Sequence, residues 1–571
     1  MHDLVIKGGK IADGSGKPSF TGDIAISEGK IEEVGGKAGP ARREIDADGL
    51  LVTPGFVDIH THYDGQATWD PYLAPSSWHG VTTVVMGNCG VGFAPAKPDS
   101  HDWLIGLMEG VEDIPGAALS EGINWAWESF PEYLDALESH PRVIDIGAQV
   151  PHGAVRAYVM GERGANNEKA TAQDLEEMGR IVEAGIRAGA LGFTTSRTVL
   201  HRSIEGEAVP GTFADEAEVF AIGQALGRAG SGVFEMASDL MPEGKELDWV
   251  RRLSKEVGRP ITFALLQNDL DPTQWRRILD ITEEANNEGA WIVPQVAGRP
   301  AGLLLGLEAT IHPFVSHQTY KSIRHLPLKE RVAEMMKPEV KAAMLEEKVK
   351  YNFPLASYIT SSFHKLFPLG NPPNYEPAPE DSVKAIAERE GREPSDVAYD
   401  LLLASDGKEL LYFPLFNYSQ FDMDPIYEML VHPATTLGLS DGGAHCGVIC
   451  DASTPTFMLT HWARDRDRGK KISLESIVAR QTRETANLYG LRDRGLLQRG
   501  MKADVNVIDF DALGLHAPEM VFDLPAQGRR LVQRATGYRE TIVSGEVTFQ
   551  NGEATGSLPG RLIRGEQTEA S

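Results

Sequence analysis

The alternation of short apolar runs with helical stretches is the feature that most restricts how this chain can fold. Segments such as 172–188 and 216–229, with apolar residues three and four positions apart, separate eight runs of strand length. This alternation predicts repeated strand–helix units around a parallel sheet, and eight such units are enough to close a TIM barrel. The predicted strands are residues 55–62, 82–88, 143–150, 190–195, 232–237, 261–267, 291–296 and 436–441.

The two ends of the chain have a different texture. Glycine punctuates short strand-like runs there, at residues 3–9, 22–26, 30–35, 503–509 and 540–547. We therefore predict an α/β protein in which a TIM (β/α)8 barrel carries a small β-sandwich domain formed by both chain ends. The predicted division is 1–54 for the first part of the sandwich, 55–490 for the barrel, and 491–571 for the second part and a tail.

The stretch between the seventh and eighth predicted strands, residues 297–430, is far longer than an ordinary connection in such a barrel. Helix-like segments at 328–350 and 380–388 indicate that this insertion is structured. Because it leaves from the C-terminal end of a strand, we expect it to cover the barrel mouth as a lid.

Composition restricts the partners of the chain. Its 571 residues include 55 Lys and Arg against 82 Asp and Glu, and the net charge of −27 excludes nucleic acid as an expected partner. No leader-like segment opens the sequence and no long apolar run follows, so we expect a cytoplasmic protein without membrane contact. A small-molecule substrate is expected, and a homo-oligomer is possible. Three cysteines, Cys89, Cys446 and Cys450, favour metal ligation or packing over disulfides.

Candidate metal ligands lie at the ends of the first and last predicted strands. His60 and His62 are two residues apart, so both imidazoles can face the same cation. Asp441 follows the eighth apolar run and could ligate the cation and accept a proton from bound water. A bare His-x-His can be incidental, and a lone Asp can be a helix cap. The first and last strands are neighbours in a closed barrel, which favours a shared metal site.

Several motifs resemble a known family. The run PGFVDIHTH at 54–62 resembles the signature of the amidohydrolase superfamily. The run GVTTVVMGNCG at 80–90 is similar to the second-strand motif of its D-aminoacylase branch, the N-acyl-D-amino-acid deacylases. Further similar runs are PHGAVR at 151–156, GALGFTTS at 189–196 and GEV at 545–547. The resemblance extends over nearly the whole chain.

The resemblance implies a barrel inside a bipartite β-sandwich, a divalent metal that is usually zinc, and hydrolysis of an amide bond by metal-activated water. It implies that His60 and His62 are metal ligands, that Cys89 is the thiolate ligand of strand two, and that Asp441 is the catalytic acid/base. Many superfamily members carry a carbamylated lysine at strand four, whereas residues 190–197 contain none. A bridging Cys89 fits the D-aminoacylase branch, although packing alone would also explain a buried thiol.

The sequence departs from this branch at strands five and six. D-aminoacylases carry a metal-binding histidine at each position, where this chain has Glu235 and Leu265. Glu235 could be an oxygen ligand, which would favour a harder ion such as Mn²⁺ or Fe²⁺ without excluding Zn²⁺, or it could contact substrate. His445 and Cys446 are either replacement ligands or bystanders, and Cys450 is expected only to pack. Because Leu265 can ligate nothing, we predict one metal per chain.

Four further residues are candidates for substrate binding: His152, Ser196, Arg197 and Arg299. An arginine that faces the cavity would hold a substrate carboxylate through two hydrogen bonds, but a structural ion pair is an equal alternative. In the insertion, His312, His317 and His364 are weaker candidates.

These features predict a metal-dependent amidohydrolase that acts on carbon–nitrogen bonds other than peptide bonds, with a small substrate such as an N-acyl amino acid. One alternative is a mononuclear lactone or ester hydrolase, or a lyase, on the same barrel. Another is a catalytically silent barrel that binds a small molecule. The joint presence of His60, His62, Cys89 and Asp441 argues against the silent barrel, because random loss of function would not spare the whole set.

Overall fold

The chain begins with five strands that belong to a sheet shared with its C-terminal end. The computed structural model describes residues 1–350 and 354–568, so 351–353 of the predicted insertion and 569–571 of the predicted tail lie outside the described residues. The first strands are β1 His2–Ile11, β2 Phe20–Ser27, β3 Lys30–Val34, β4 Ala41–Asp46 and β5 Leu51–Pro54.

A parallel sheet forms the centre of the molecule. Its six strands follow one another in space in the same order as in the chain, and a seventh strand lies beyond them. They are β6 Phe56–Thr61, β7 Val81–Met86, β8 Asp145–Pro151, β9 Gly192–Arg197, β10 Val233–Ser238, β11 Ile261–Phe263 and β12 Gln295–Ala297. Every residue of β6, β7 and β8 is buried, including polar residues such as Asp58, His60 and Gln149.

Helices connect these strands. The sequence marks both ends of the longest of these helices, Ala172–Ala188. At its start, the Thr171 side chain accepts a hydrogen bond from the Asp174 backbone, and Gly189, with φ +118°, follows its last residue. The helices are α1 His101–Glu112, α2 Gly116–Gly122, α3 Phe130–Ser139, α4 His152–Met160, α5 Glu162–Ala165, α6 Ala172–Ala188, α7 Glu216–Ala229, α8 Glu243–Val257 and α9 Gln274–Asn287.

The insertion has its own hydrophobic cluster, which includes Leu305, Phe314, Tyr399 and Phe413. It contains the strands β13 Gly302–Leu305, β14 Phe367–Pro368 and β15 Leu411–Pro414. Its helices are α10 Gln318–Ile323, α11 Leu328–Met335, α12 Pro338–Glu346, α13 Pro354–Ser361, α14 Val383–Glu390, α15 Pro394–Gly407 and α16 Asp424–Val431.

Two helices predicted in the insertion differ from those observed. The single helix predicted at 328–350 is two helices, because Pro338 cannot continue a helix and instead begins the second one. The helix predicted at 380–388 begins only at Val383, because the Ser382 side chain accepts a hydrogen bond from Ala385 and caps it there.

The eighth predicted strand is β16 Thr436–Gly438, which pairs in parallel with β12. Single parallel bridges join Ala264 to Gln295 on one side and Thr61 to Gly442 on the other. The sheet therefore curls until the segment after β16 meets the end of β6. All eight predicted strands overlap observed ones. The sixth is shorter than predicted, because the Gln267 backbone pairs with Asn417 of the insertion instead of a neighbouring strand.

Short helices follow β16, and the chain then returns to the first sheet. The helices are α17 Thr454–Phe457, α18 Leu474–Ala479 and α19 Thr485–Leu488, extended by π-helical turns at Met458–Asp465 and Arg480–Glu484. The last strands are β17 Val505–Ile508, β18 Gly514–Leu515, β19 Glu519–Leu524, β20 Gly528–Val532, β21 Ala535–Thr536, β22 Tyr538–Val543, β23 Glu546–Gln550 and β24 Glu553–Ala554.

Both chain ends meet in a nine-stranded sheet, where β17 pairs antiparallel with β5 so that Val507 lies opposite Val52. Its buried face includes Ile6, Ile24 and Ile542. In the described part of the chain, no helix is both long enough and apolar enough to cross a membrane.

Candidate metal centre

Two buried imidazoles at the end of β6 form the base of the site. His60 and His62 are each 1% exposed. The His60 Nδ1 atom lies 2.9 Å from Gln295 Oε1. Because an amide oxygen only accepts, Nδ1 is the donor and Nε2 keeps its lone pair. His62 turns Nδ1 towards Glu112, at 3.4 Å from Oε1. The Nε2 atoms of both rings therefore remain available to a common partner.

Asp441 places its carboxylate between the two rings. Its Oδ1 atom lies 3.5 Å from His60 Nε2 and 3.7 Å from His62 Nε2. The Asp441 backbone donates to the carbonyl of His60, and the His62 backbone donates to that of Gly442, so the strand ends are tied together at this point. Asp441 has φ +50°, a left-handed conformation that is unusual for a side-chain-bearing residue and is typical of functional sites.

Cys89 approaches the same point from the end of β7. Its Sγ atom lies 3.4 Å from His60 Nε2, and its backbone donates to Glu235 Oε2 at 3.0 Å. The turn requires glycine at position 90, where φ is +75° and a Cβ would lie 2.5 Å from the backbone nitrogen of Ser196. The loop thus lies directly on β9. Donor atoms of His60, His62 and Cys89 all lie within 4.8 Å of one another.

Burial and charge act differently on each group. Burial lowers the pKa of His60 to about 4. Burial also disfavours the His62 cation, but Glu112 and Asp441 outweigh it and raise the pKa of His62 to about 9. Burial alone would raise the pKa of Asp441, yet the hydrogen bond to His62 and the charge of His60 hold it well below its usual range. Burial raises the pKa of Glu235 to about 8.

The side chains fit a divalent cation. Imidazole nitrogens, a thiol and carboxylates converge, which is a donor set typical of zinc. The buried Oε1 atoms of Glu235 and Glu112 have no hydrogen-bond partner among the described residues, and such atoms are costly unless a charge compensates them. Burial also raises the pKa of the Cys89 thiol well above its ordinary value. A nearby cation would act against that shift and favour the thiolate.

Glu112, at the end of α1, is a site residue that the motifs did not reveal. Its carboxylate is 1% exposed and lies between His62 Nδ1 and His445 Nε2, at 3.4 and 3.5 Å. A signal does exist in the sequence. Leu104, Met108 and Glu112 are spaced by four residues on one buried stripe of the helix, and an acid on such a stripe is unusual.

Two further site residues had no recognisable signal. Gln295, in β12, orients His60. His201, in the loop after β9, lies with its Nδ1 atom 3.0 Å from the hydroxyl of Ser196. Burial lowers the pKa of His201 to about 3, and the charges that act most strongly on it are His445, His62 and Asp441. Gln295 is remote in sequence from His60, and His201 lies in a loop of irregular structure, so no local pattern marks either residue.

Known proteins resemble this chain over nearly its whole length. The model of the amidohydrolase family matches residues 43–549. The chain belongs to the amidohydrolase family. This amidohydrolase is 27% identical over 568 residues to the D-aminoacylase of Alcaligenes xylosoxydans xylosoxydans, with 98% of this chain and 97% of that protein covered. The superfamily and branch predicted from the motifs are therefore confirmed.

Two solved structures share the fold. One is a D-aminoacylase whose binuclear metal centre is described as activated by one metal and attenuated by the second. It has a TM-score of 0.65 and 22% identity, with 99% of this chain and 100% of that chain covered. The other is the N-acyl-D-glutamate deacylase of Bordetella bronchiseptica in complex with zinc and a phosphonate inhibitor. It has a TM-score of 0.65 and 23% identity, with 99% of each chain covered.

The residues predicted to bind substrate do not all lie beside the metal centre. Ser196 contacts His201 beside the centre. His152 lies on the other side of β9. Its Nδ1 atom contacts Thr195, whose side chain points to the face of β9 opposite to that of Ser196. Its Nε2 atom lies 2.9 Å from Glu218 on α7. His152 therefore belongs to the helix layer of this amidohydrolase rather than to the cavity.

The two predicted arginines are both in ion pairs. Arg197 donates to Glu246, with the closest contact at 2.9 Å, and Arg299 donates to Asp451, with the closest contact at 2.7 Å. Both pairs are largely buried, so each guanidinium forms a structural ion pair, which was the alternative to binding a substrate carboxylate.

The remaining candidates can also be placed. His445 contacts Glu112. Cys446 and Cys450 are buried free thiols, and Leu265 is fully buried within the main hydrophobic cluster. In the insertion, the rings of His312 and His317 pack against Tyr320 and Phe314, and His364 lies in the 3-10 turn Phe363–Lys365.

Proposed function

We propose that this amidohydrolase cleaves the amide C–N bond of a small molecule with the aid of a divalent cation. The observation that carries the proposal is the convergence of His60 Nε2, His62 Nε2, Cys89 Sγ and Asp441 Oδ1 in a buried centre. The relatives are named as D-aminoacylases and N-acyl-D-amino-acid deacylases, so N-acyl amino acids are the starting point for a substrate search.

We propose one cation per chain, with zinc as the first candidate. His60, His62 and Asp441 would hold it, with help from Cys89 or Glu235. Leu265 offers no donor atom, which leaves too few ligands for a second well-held ion. A cation in this position would polarise the amide carbonyl and lower the pKa of water.

The proposed proton transfers belong to Asp441. Its carboxylate is ionised at neutral pH and lies between the two imidazoles, so it can accept a proton as water attacks the amide carbon. The new C–O bond forms, the C–N bond breaks, and Asp441 returns the proton to the leaving nitrogen. Gln295 and Glu112 hold the rings of His60 and His62 in place during these steps.

We further propose that residues 55–490 close a complete eight-stranded barrel, and that residues 297–430 cover its mouth. Two backbone hydrogen bonds support the second part. Leu304 donates to Val448 after β16, and Asn417 donates to Gln267 after β11, so the insertion contacts loops at the C-terminal side of the strands.

The proposal is tested by metal analysis and amide hydrolysis with protein purified without chelator. We expect about one zinc equivalent per chain and turnover of N-acyl substrates. A His60→Ala, His62→Ala double variant should lose both, while His325→Ala, which removes an exposed imidazole of the insertion, should lose neither.

Each rival has its own outcome. Two equivalents in fully active protein would contradict the single cation, and full activity in the double variant would contradict the site. Turnover confined to lactones or esters would favour the mononuclear alternative. Ligand binding without any turnover would favour the silent barrel.

A further inference from the structure

His201 is an imidazole of the site that takes no part in the proton transfers proposed above. It lies in the loop after β9, and its Nδ1 atom is 3.0 Å from the hydroxyl oxygen of Ser196. Ser196 is fully buried, whereas His201 is half-buried. Among the described residues, the Nε2 atom of His201 has no hydrogen-bond partner. One nitrogen of this ring is therefore anchored, and the other is free to meet a ligand.

The strand that anchors His201 also touches the turn that carries Cys89. On β9, the Thr194 hydroxyl accepts a hydrogen bond from the Gly90 backbone at 3.1 Å, so the Thr194 side chain points to that turn. Ser196 follows two residues later on the same strand, so its side chain lies on the same face and nearer the C-terminal end of the strand. Because the C-terminal ends of the strands face the barrel mouth, His201 lies on the mouth side of Cys89.

The same loop packs on α1, the helix that ends in Glu112. At Gly110 of this helix, a Cβ would clash with the backbone of Ile204, so only glycine lets the loop approach so closely. The Glu112 carboxylate, at the end of the helix, lies 3.4 Å from Nδ1 of His62. His201 is therefore held between β9 and α1, two elements that both reach the metal centre.

Hydrogen bonds brace the loop on both sides of His201. Thr198 Oγ1 donates to Asp239, in the loop after β10, at 2.5 Å. Arg202 Nη1 donates to the carbonyl of Gly206 at 2.8 Å. A side chain that is already held in place loses little conformational entropy when it contacts a substrate. The free Nε2 atom of His201 is therefore preorganised for such a contact.

The hydrogen bond to Ser196 decides which nitrogen of the His201 ring carries a proton. Burial lowers the pKa of His201 to about 3, so the ring is neutral at pH 7, with one N–H and one lone pair. Among the described residues, His201 Nδ1 is the only hydrogen-bond partner of the buried Ser196 hydroxyl. The hydroxyl must donate to Nδ1, because its hydrogen would otherwise be buried without an acceptor. The ring proton is therefore on Nε2, which makes the free nitrogen a donor.

Amide hydrolysis creates a charge that such a donor can stabilise. As the oxygen of water adds to the amide carbon, the second electron pair of the C=O bond moves onto the carbonyl oxygen. A neutral N–H that faces this oxygen stabilises the transition state more than it stabilises the substrate, because the oxygen becomes more negative. The donor keeps its proton throughout, so the proton transfers assigned to Asp441 are unchanged.

We propose that His201 is a catalytic residue whose Nε2–H donates a hydrogen bond to the carbonyl oxygen of the scissile amide. Ser196 is then a positioning residue, which holds the ring and fixes its tautomer. The inference rests on the proposed amide hydrolysis, and it adds a donor that the metal ligands do not supply.

Two substitutions separate the hydrogen bond from the space that the ring fills. With zinc-loaded protein and N-acetyl-D-leucine, His201→Phe should lower kcat at least about 100-fold and hardly change KM, because the donor acts mainly in the transition state. His201→Gln, whose amide nitrogen can still donate, should lose only about tenfold. His325→Phe, at an exposed position of the insertion, is the matched control and should keep its kcat. Full kcat in His201→Phe, or equal losses in the two variants at position 201, would overturn the inference.

The role of Ser196 is tested by a double-mutant cycle. Ser196→Ala keeps the imidazole but removes its anchor, so kcat should fall about tenfold at unchanged zinc content. Ser203→Ala, in the same loop, is the control and should keep its kcat. Because Ser196 acts through His201, adding Ser196→Ala to His201→Phe should cause no further loss. Losses that add in the double variant would show that Ser196 acts by itself and would contradict its positioning role.

Two measurements without turnover separate this inference from the proposed reaction. In ¹⁵N spectra of histidine-labelled, zinc-loaded protein at pH 7, the signals that His201→Phe removes should belong to a neutral ring protonated at Nε2. N-methylphosphonyl-D-leucine, whose tetrahedral phosphonate mimics the hydrated amide, should bind His201→Phe at least about 100-fold more weakly than the unmodified protein.

The outcomes of these measurements are distinct. Both expected results without turnover in the unmodified protein would refute amide hydrolysis and leave the His201 contact standing. Turnover that is unaffected in His201→Phe would refute the contact and leave the hydrolysis standing. A ring protonated at Nδ1, equal binding of the phosphonate to both proteins, or its binding to neither at millimolar concentration would also overturn the inference.

Discussion

At the scale of single residues, the orientation of the ligands is set by side chains behind them. Gln295 fixes the tautomer of His60, and Glu112 faces the far nitrogen of His62. Carboxylates in this position increase the basicity of a ligating imidazole and hold its ring in place. Glu112 itself is buried, and its Oε1 atom has no hydrogen-bond partner among the described residues, so the charge of this carboxylate depends on the nearby His62 ring for compensation.

We therefore predict that Glu112→Gln weakens zinc binding about 10- to 100-fold, because the amide keeps the size of the side chain but removes its charge. Competition with a zinc chelator measures the dissociation constant. Glu109→Gln, on the same helix, is the control and should bind zinc as the unmodified protein does. Unaltered affinity in Glu112→Gln would mean that the carboxylate does not act on the centre.

At the scale of elements, much of the insertion packs around its own hydrophobic cluster, while Leu304, Tyr375 and Tyr412 join the main hydrophobic core. It has a separate hydrophobic cluster, and its first and last strands pair so that Gly302 lies opposite Pro414. The side-chain contacts between Asp269 and the insertion residues Tyr358 and Lys365 hold it against the loop after β11. A unit whose ends meet can be removed without stretching the chain.

Replacement of residues 303–413 by a short Gly-Ser linker should leave a folded, zinc-binding protein, because the paired ends are only one strand spacing apart, about 5 Å. We expect kcat/KM to fall at least about tenfold, because the cover over the site is lost. Circular dichroism, zinc content and kinetics measure the three properties. Kinetics identical to those of the full chain would contradict the lid.

Helices α4 and α7 are joined by a buried ion-pair network. Glu218 accepts from Arg156 and His152. Burial alone would raise the pKa of Glu218, but these partners lower it from its ordinary 4.5 to about 2. A depressed carboxyl pKa stabilises the fold above the unfolded value, and that contribution is lost as the pH falls towards the folded value.

The stability difference between the unmodified protein and Glu218→Gln should accordingly narrow between pH 5 and pH 3, by on the order of 2 kcal/mol. Urea unfolding across this range measures it. Glu216→Gln, whose partner Arg252 is solvent-exposed, should show a nearly constant difference because water screens that pair. If this stability difference between the unmodified protein and Glu218→Gln increased as the pH was lowered, the predicted direction of the pH dependence would be wrong.

At the scale of the whole molecule, a buried cluster ties the central sheet to the C-terminal segment. Asp145, at the start of β8, lies 2.7 Å from Arg494 and 3.0 Å from Lys502. Its other oxygen accepts from the backbone of Arg561. Burial opposes ionisation of Asp145, but Lys502 and Arg494 prevail and lower its pKa to about 2. The Asp145 carboxylate thus contacts three separate residues of the C-terminal segment.

Asp145→Asn should destabilise the protein by about 1.5–3 kcal/mol, because Arg494 and Lys502 lose a buried charged partner while Asp493 and Asp504 still pair with them. Urea-unfolding curves measure the loss. Asp135→Asn is the control, since Asp135 pairs with Arg564 at the surface and should cost about 1 kcal/mol or less. Equal losses in the two variants would mean that burial of the cluster contributes nothing.

The sequence by itself determined the order of the elements and the family. Local patterns are enough for this, because alternating apolar runs need only their own periodicity, and the runs around His60 and Cys89 are contiguous motifs. Element boundaries were predicted less well than element order. Pro338 and Ser382 each set a helix boundary within one turn of themselves. The early end of β11 instead depends on Asn417 of the insertion, about 150 positions away in the chain.

Only the tertiary structure decided which side chains share the site and which are engaged elsewhere. His152, Arg197 and Arg299 follow strands just as Ser196 does, but the side-chain direction and the nearest carboxylate differ for each. Glu112 enters the centre because α1 packs over the strand ends. A partner remote in sequence is chosen by packing in three dimensions, and the free energy of a buried charge depends on that partner.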